Sequence, residues 1–166
     1  SVKNDEQGNA IETYSNQDIT GLARVFTGLN LNEELLEESS AKAFAAPMVS
    51  FAESHSQKEK YFLGYRIPED TDAKTSIDLA LDHIFSHANV APFIGKQLIQ
   101  RLVTSNPTSD YVARVATAFE QGAYELPDGT KIGDDRRGDL TATLAAILFD
   151  DEARQLGSST SGKIRE

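Results

Sequence analysis

With 166 residues, 39% of them hydrophobic and 25% charged, the chain is long enough to bury a core without disulfides or structural metals. Its 26 acidic residues outnumber 16 basic ones, and the net charge of -10 repels phosphate backbones and anionic lipids, so we expect no nucleic-acid binding and no docking on anionic membranes. There is no cysteine, which excludes disulfides, zinc–thiolate sites and cysteine nucleophiles, and no apolar run reaches the roughly 18 residues that membrane insertion requires.

The two ends of the sequence resemble cuts within a longer protein. Ser1 is not an initiator methionine, and the last five residues, GKIRE, do not look like a natural terminus. We therefore expect a fragment whose targeting segment would lie upstream. Within it, the pattern predicts a single helical domain over residues 1–156 and a flexible, Gly- and Ser-rich tail over residues 157–166.

The first predicted elements are a hairpin or loop and a helix. Residues 1–14 have few apolar positions around Gly8-Asn9, which favours a β-hairpin or an ordered loop. Ser15 can then cap a helix, and Asp18 completes a near capping box. Apolar residues follow at helical spacing until Gly28, which is typical of a helix end.

The next segments predict a second helix and a strand. Asn32 can cap a helix over residues 32–46, and Pro47 ends it because the residue before a proline avoids helical angles. The aromatic run KYFLGYRI, residues 60–67, has the composition of a short strand. Pro68-Glu69-Asp70 is typical of a turn.

The second half has the clearest helical periodicity. Thr108 or Ser109 can cap one helix and Asp139 starts the last, while residues 122–137 form a long loop in which Asp128-Gly129 favours a hairpin. The sequence therefore predicts a mainly α, helical bundle-like fragment with a small β-hairpin element. The helices expected to build its core cover residues 15–28, 72–87, 91–104, 109–120 and 139–150.

Several segments together form a specific pattern. The most distinctive are HANVAPFI from His87, KQLIQRLVTSNP from Lys96 and YVARVA from Tyr111. Others agree with them, namely YSNQDI from Tyr14, AR and FTGL at residues 23–29, His55 with Lys58, Lys60 and Leu63-Gly64, RGDL from Arg137, and EAR from Glu152. Over nearly the whole chain this pattern resembles the bacterial domain-of-unknown-function 1800 family. Two positions depart from it, Ser56 where an acid is frequent and Ala88 where proline is frequent.

The resemblance implies the kind of protein to which the chain belongs, but it implies no chemical reaction. It implies the C-terminal half of a longer, mostly helical bacterial domain, in proteins that are often exported to the periplasm or the cell exterior. It also implies a protein partner, because such proteins tend to be encoded beside a second secreted family that resembles sulfatases.

Three histidines are candidates for a metal or polar site. His83 and His87 are four residues apart on a predicted helix, which would place both rings on one face, as a zinc pair requires. The glutamate of the HExxH motif is absent between them. His55 could add a ligand only if the fold brings it close. The alternative is that His87 ends the helix and bonds nearby backbone, with His83 half exposed.

Charged residues give two further candidates. Arg101 and Arg114 stand among apolar residues, so each guanidinium needs a partner, either an anionic ligand or a helix-tying carboxylate such as Asp110 or Asp139, or a loop carbonyl. The loop carrying Asp128, Asp134, Asp135 and Asp139 could hold calcium, but it lacks the spacing of an EF-hand and fits a solvated turn equally well.

These observations leave three functional hypotheses. The first is a non-enzymatic helical interaction or scaffold module, favoured because no catalytic residues cluster and no G-x-S-x-G elbow or phosphate loop occurs. The second is part of a metal-assisted hydrolase whose remaining site residues lie outside the chain. It requires His55, His83 and His87 to converge with a carboxylate, whereas a scaffold leaves them dispersed. The third is a calcium-stabilised surface domain. No cofactor is predicted.

Overall fold

The computed structural model describes residues 7–8 and 14–154. The predicted hairpin or loop over residues 1–14 lies mostly outside these described residues, and the predicted tail over residues 157–166 lies wholly outside them. Within the described part, the chain is mainly helical with small two-stranded antiparallel sheets, which confirms the predicted fold class. No helix there is both long and apolar enough to cross a membrane. The chain divides into two compact units, residues 1–85 and 86–166, each described by itself below.

The helices and strands have these bounds. The helices are α1 (Asn16–Val25), α2 (Glu33–Glu38), α3 (Ser40–Ala45), α4 (Ala73–Ser86), α5 (Val90–Leu102), α6 (Ser109–Gln121), α7 (Leu140–Phe149) and α8 (Asp151–Arg154). The strands are β1 (Leu29–Asn30), β2 (Val49–Ser50), β3 (Lys60–Phe62), β4 (Tyr65–Ile67), β5 (Tyr124–Glu125) and β6 (Lys131–Ile132). They pair in sequence order, β1 with β2, β3 with β4 and β5 with β6.

Helix α1 begins with the predicted capping box. The Ser15 hydroxyl accepts from the Asp18 amide at 3.3 Å, and the Asp18 carboxylate accepts from the Ser15 amide at 2.7 Å. The same carboxylate also accepts from the Leu63 amide at 2.7 Å, which ties the helix start to the β3–β4 turn. The Ser15 hydroxyl donates to the Asp18 carboxylate at 2.7 Å, and this bond, with those from the Ser15 and Leu63 amides, lowers the pKa of Asp18. One short local motif therefore sets both the start of α1 and its attachment to the hairpin.

Helix α1 lies directly on β3 at Gly21. A Cβ atom at this glycine would stand 1.8 Å from the carbonyl oxygen of Tyr61, so no other residue fits without moving the helix. The approach seals the core of this unit, which consists of Val25, Phe62, Ile67 and Ala80.

The predicted helix over residues 32–46 is wrong in one respect, because it is two short helices. Asn32 caps α2 as predicted, but Ser39 is extended, with φ -167° and ψ 126°, and α3 starts after it. Two physical reasons account for the break. Glu37 and Glu38 end α2 on acidic side chains with no basic residue in the last turn, and this opposes the helix dipole. Ser39 also competes for backbone hydrogen bonds.

The predicted single strand over residues 60–67 is also wrong, because it is a hairpin. Leu63 and Gly64 form the turn with φ values of 47° and 76°, so both occupy the left-handed region that a two-residue turn of type I′ requires. Gly64 was the residue in the sequence from which this turn could have been predicted. A leucine at positive φ is unusual, and the bond from its amide to Asp18 holds it there. The turn predicted at residues 68–70 is confirmed.

The second unit is built on α5, α6 and α7. Its core contains Ile99, Tyr111, Val115 and Ile147. The Tyr111 hydroxyl donates to the Ile147 carbonyl at 2.7 Å, so the buried phenol also links α6 to α7. Burial raises the pKa of Tyr111. Thr108 caps α6 and Asp139 caps α7, as predicted, and the sequence of this unit therefore indicated its helices closely.

The hairpin predicted at Asp128-Gly129 is confirmed as the β5–β6 turn. The chain after it returns to the end of α6, where Gly122 adopts φ 65° as the C-cap. A Cβ at Gly122 would lie 2.1 Å from the Arg136 carbonyl oxygen. The loop between β6 and α7 therefore packs backbone against backbone at this helix end.

Candidate functional site

His55 lies in a buried polar cluster of the first unit. Its side chain is almost sealed from solvent, with the residue 5% exposed. Its Nδ1 is 2.9 Å from the Thr27 carbonyl oxygen, and its Nε2 is 3.5 Å from the Ser76 hydroxyl. The Thr27 hydroxyl in turn accepts from the Ser56 amide at 2.9 Å. Both ring nitrogens thus have partners that fasten the segment after β2 to α1 and α4.

Lys60 belongs to the same cluster and is fully buried. Its Nζ donates to the Thr71 carbonyl at 3.3 Å, and the Ser76 hydroxyl donates to the same oxygen at 3.3 Å. Burial lowers the pKa of Lys60, and the negative charges of Asp70 and Asp72 oppose that shift. A histidine, a serine and a lysine of depressed pKa are a combination seen in active sites. Here all three are buried, so the structure gives substrate no access to them.

Sequence reasoning did not single out Lys60 as a buried group. The available signal was the alternation of β3, in which Lys60 and Phe62 share the face opposite Tyr61. Since Phe62 belongs to the core, Lys60 had to point inward as well.

We expect Lys60→Met to raise the free energy of unfolding by about 1 kcal/mol at pH 7, because a buried ammonium with one long hydrogen bond is replaced by an apolar chain. The pKa of Lys60 is lower in the folded protein than in the unfolded chain. Its cost to stability is therefore full below the folded pKa and is relieved as pH rises toward the unfolded value. The advantage of the variant should shrink as pH rises, in urea titrations at neutral and alkaline pH.

Lys58→Met is the matched control, because Lys58 is exposed two residues earlier. It should change stability by less than about 0.5 kcal/mol at either pH. A Lys60→Met protein that is less stable than wild type at neutral pH would contradict the reading of Lys60 as a costly buried charge.

His83 is engaged with the β3–β4 hairpin. Its Nε2 is 3.1 Å from the Leu63 carbonyl oxygen. The ring stacks on Tyr65 with centroids 4.6 Å apart at 15°, and meets the Phe62 ring edge-on at 5.7 Å. These contacts hold α4 to the hairpin turn.

His87 does not lie on the face of α4, because that helix ends at Ser86. The ring is exposed, and its Nδ1 accepts from the Asn89 amide at 3.1 Å. The backbone carbonyl of His87 accepts from the Val90 amide at 3.0 Å and from the Arg137 guanidinium at 3.3 Å. Within residues 7–8 and 14–154, no group of three or more histidine or acidic side chains is placed to hold a metal ion.

The two arginines have different environments. Arg114 makes a two-pronged ion pair with Asp150, with Nε–Oδ2 at 2.7 Å and Nη2–Oδ1 at 2.9 Å. The Asp150 side chain is only 6% exposed. The pair joins α6 to the end of α7, and its hydrogen bonds raise the pKa of Arg114. This partner is neither Asp110 nor Asp139. Arg101 is exposed and has no hydrogen-bond partner among the described residues.

The acidic loop uses its carboxylates internally. Asp128 accepts from the Thr130 amide at 2.9 Å, which lowers its pKa. Asp134 pairs with Arg136, which lowers the pKa of that carboxyl, and Asp135 pairs with Lys131 at 2.6 Å. Asp139 caps α7 through Ala142 and accepts from the Asp134 amide, both at 2.9 Å. The four carboxylates of the loop are thus bonded to donors within the loop or directly next to it.

An exposed apolar row on α7 is the feature that the core leaves unexplained. Leu140, Leu144 and Leu148 follow one another at intervals of four, so they share one face of the helix. They are 56%, 37% and 56% exposed. The opposite face is buried through Ala142, Ala145, Ala146 and Ile147. A helix that is apolar all round is normally covered on both sides. We call these three leucines the α7 leucine row.

The fold and these contacts define a mainly helical protein whose histidines and loop carboxylates make structural contacts, and which presents an apolar helix face. The family described as "Protein of unknown function (DUF1800)" matches residues 5–166. The chain belongs to this family, which confirms the resemblance seen in the sequence. No curated protein and no solved structure matches the chain.

Proposed function

We propose that this chain is a helical interaction module of a larger, exported bacterial protein, and that it binds a protein partner through the α7 leucine row. The observation that carries the proposal is the exposure of three leucines in register on one helix. Such a face keeps apolar area in water, and covering it releases that cost, at roughly 25 cal/mol per Å².

The environment of the histidines supports an interaction module over a metal-assisted hydrolase. A hydrolase of that kind needs several ligands around one ion and an open coordination position. His55 contacts Thr27 and Ser76, whereas His83 contacts Leu63 and Tyr65. Each ring therefore has its own set of structural partners.

The partner we propose is the secreted, sulfatase-like protein that the family resemblance implies is encoded nearby. On this proposal the partner presents an apolar surface to the leucine row, and the acidic Asp151 and Glu152 of α8, which follows α7 directly, favour basic residues at its rim. Apolar contact at the centre and charge at the edge is the usual arrangement of protein interfaces.

The test is a calorimetric titration of the purified chain with that partner. Leu144→Ala and Leu148→Ala should each weaken binding by about tenfold, because truncating a central apolar contact costs on the order of 1–2 kcal/mol. Leu81→Ala is the matched control, since Leu81 is a 52% exposed leucine on α4, and its binding should be unchanged. Absence of binding by the wild-type chain, or equal affinity of all three variants, would refute the proposal.

A further inference from the structure

A groove on the first unit, separate from the α7 leucine row, brings two cations together with several polar side chains. It lies between α1 and β3, with a volume of about 470 Å³, which is within the range of small-molecule sites. Asn16, Gln17, Thr20 and Arg24 face it from α1, and Lys58 and Tyr61 from the segment opposite. Gly21 lines the groove too, and its close approach to the Tyr61 backbone joins the two sides.

Two cations in the groove lack a carboxylate partner among the described residues. Arg24 uses one guanidinium nitrogen, which donates to the Glu59 carbonyl at 3.1 Å. This bond holds the guanidinium in place, and its other donors have no partner within residues 7–8 and 14–154. Lys58 is exposed and makes no ion pair within the described residues. Glu59 also lines the groove, and its carboxylate is paired with Arg66. In a chain of net charge -10, two such cations in one concavity are a local exception.

The remaining lining groups restrict what the ligand can be. Common small-molecule sites are lined mainly by apolar side chains, whereas this one is lined mainly by polar ones. The side-chain amides of Asn16 and Gln17 have no hydrogen-bond partner among the described residues, and each of them can both donate and accept a hydrogen bond. The Thr20 hydroxyl donates to the Asn16 carbonyl at 2.8 Å and so retains its accepting capacity. Tyr61 is 39% exposed and offers an apolar ring with a polar tip.

We propose that this groove binds an acidic saccharide, meaning a hydroxylated sugar ring that carries a carboxylate or a sulfate. The anionic group meets Arg24 and Lys58 through charge-assisted hydrogen bonds. The ring hydroxyls bond to Asn16, Gln17 and Thr20, and a ring face lies on Tyr61. A simple anion would leave the amides and the tyrosine ring unused, and a neutral sugar would leave both cations without a counter-charge.

The test is a titration of the full chain in which binding is monitored through backbone amide NMR signals. The four probes are a trigalacturonate, a sulfated galactose, neutral galactose and sodium sulfate. We expect the two acidic sugars to bind with a Kd of about 1 mM or lower and to shift the amide signals of residues 16–24 and 58–61. Preference between them distinguishes a carboxylate ligand from a sulfate ligand. Binding of sodium sulfate as tight as that of the sugars overturns the saccharide assignment, and so does equal binding of neutral galactose.

Two exposed positions provide the variants. Lys58→Gln should weaken acidic-sugar binding about tenfold by removing a charge-assisted bond, and Gln17→Ala should weaken binding of charged sugars to a smaller extent. Lys42→Gln is the matched control, because Lys42 is an exposed lysine on α3 paired with Glu38. Both groove positions are exposed, so stability should be unchanged in urea titrations. Unaltered affinity in Lys58→Gln, or no binding by the wild-type chain, overturns the proposal.

Discussion

Replacing Gly21 by alanine should lower the free energy of unfolding by about 3 kcal/mol or more, a large fraction of the stability of a typical domain. The added methyl group would lie 1.8 Å from the Tyr61 carbonyl oxygen and 2.6 Å from its carbon. Backbone cannot rotate away as a flexible side chain can. Helix α1 must therefore shift from β3, and the packing of Val25 on Phe62 is lost with it.

The comparison that isolates this effect is Gly95→Ala, in the middle of α5. There the new methyl meets the Cγ1 atom of Val115 at 3.1 Å, and a side chain can yield by a few tenths of an ångström. Alanine also stabilises a helix by about 1 kcal/mol over glycine, which offsets the contact. Urea unfolding followed by circular dichroism should show a large loss for Gly21→Ala and a change within about 1 kcal/mol for Gly95→Ala. Equal effects would mean that the α1–β3 approach is not as close as described.

Removing the guanidinium of Arg114 should have the second largest effect. Arg114→Met leaves the Asp150 carboxylate buried without its counter-ion, and such a break costs about 3–5 kcal/mol when both partners are buried. Because the Arg114 side chain is 53% exposed, solvent screens part of the pair, and we expect a loss of about 2 kcal/mol. The measurement is again the urea midpoint, since the pair ties α6 to the end of α7.

A double-mutant cycle distinguishes this explanation from simple loss of packing. Arg114→Met leaves the buried charge of Asp150 without a counter-ion, and Asp150→Asn removes that charge. The double variant should therefore recover part of the stability that the arginine variant loses. Arg101→Met is the matched control, and as an exposed residue without a described partner it should change stability by less than about 0.5 kcal/mol. Additive losses in the double variant would show that the two side chains act independently.

The parts of the fold that local chemistry decides were predictable. Ser15, Thr108 and Asp139 each place a side-chain oxygen where a helix start needs an acceptor, and all three cap a helix. Asp128-Gly129 forms a hairpin turn for an equally local reason. These signals lie within four residues of the structure that they determine, so no tertiary information was required.

The errors arise where long-range contacts or competing local terms decide. Gly64 could have indicated the turn, but the positive φ of Leu63 depends on Asp18, 45 residues earlier, which accepts from its amide. The partner of Arg114 is 36 residues away at Asp150, beyond the carboxylates that sequence spacing suggested. Residues 139–150 were predicted as a core helix, but the leucine row on it is exposed, because periodicity identifies an apolar face without telling what covers it.

The central claim is that the α7 leucine row is the surface that binds a partner. Its most direct test is a methyl NMR titration of the leucine-labelled chain with the proposed sulfatase-like partner. The account predicts that the methyl signals of Leu140, Leu144 and Leu148 shift or broaden as partner is added, while those of Leu36 on α2 and Leu81 on α4 stay in place. Shifts at Leu36 or Leu81, with the α7 signals unchanged at saturation, would contradict it.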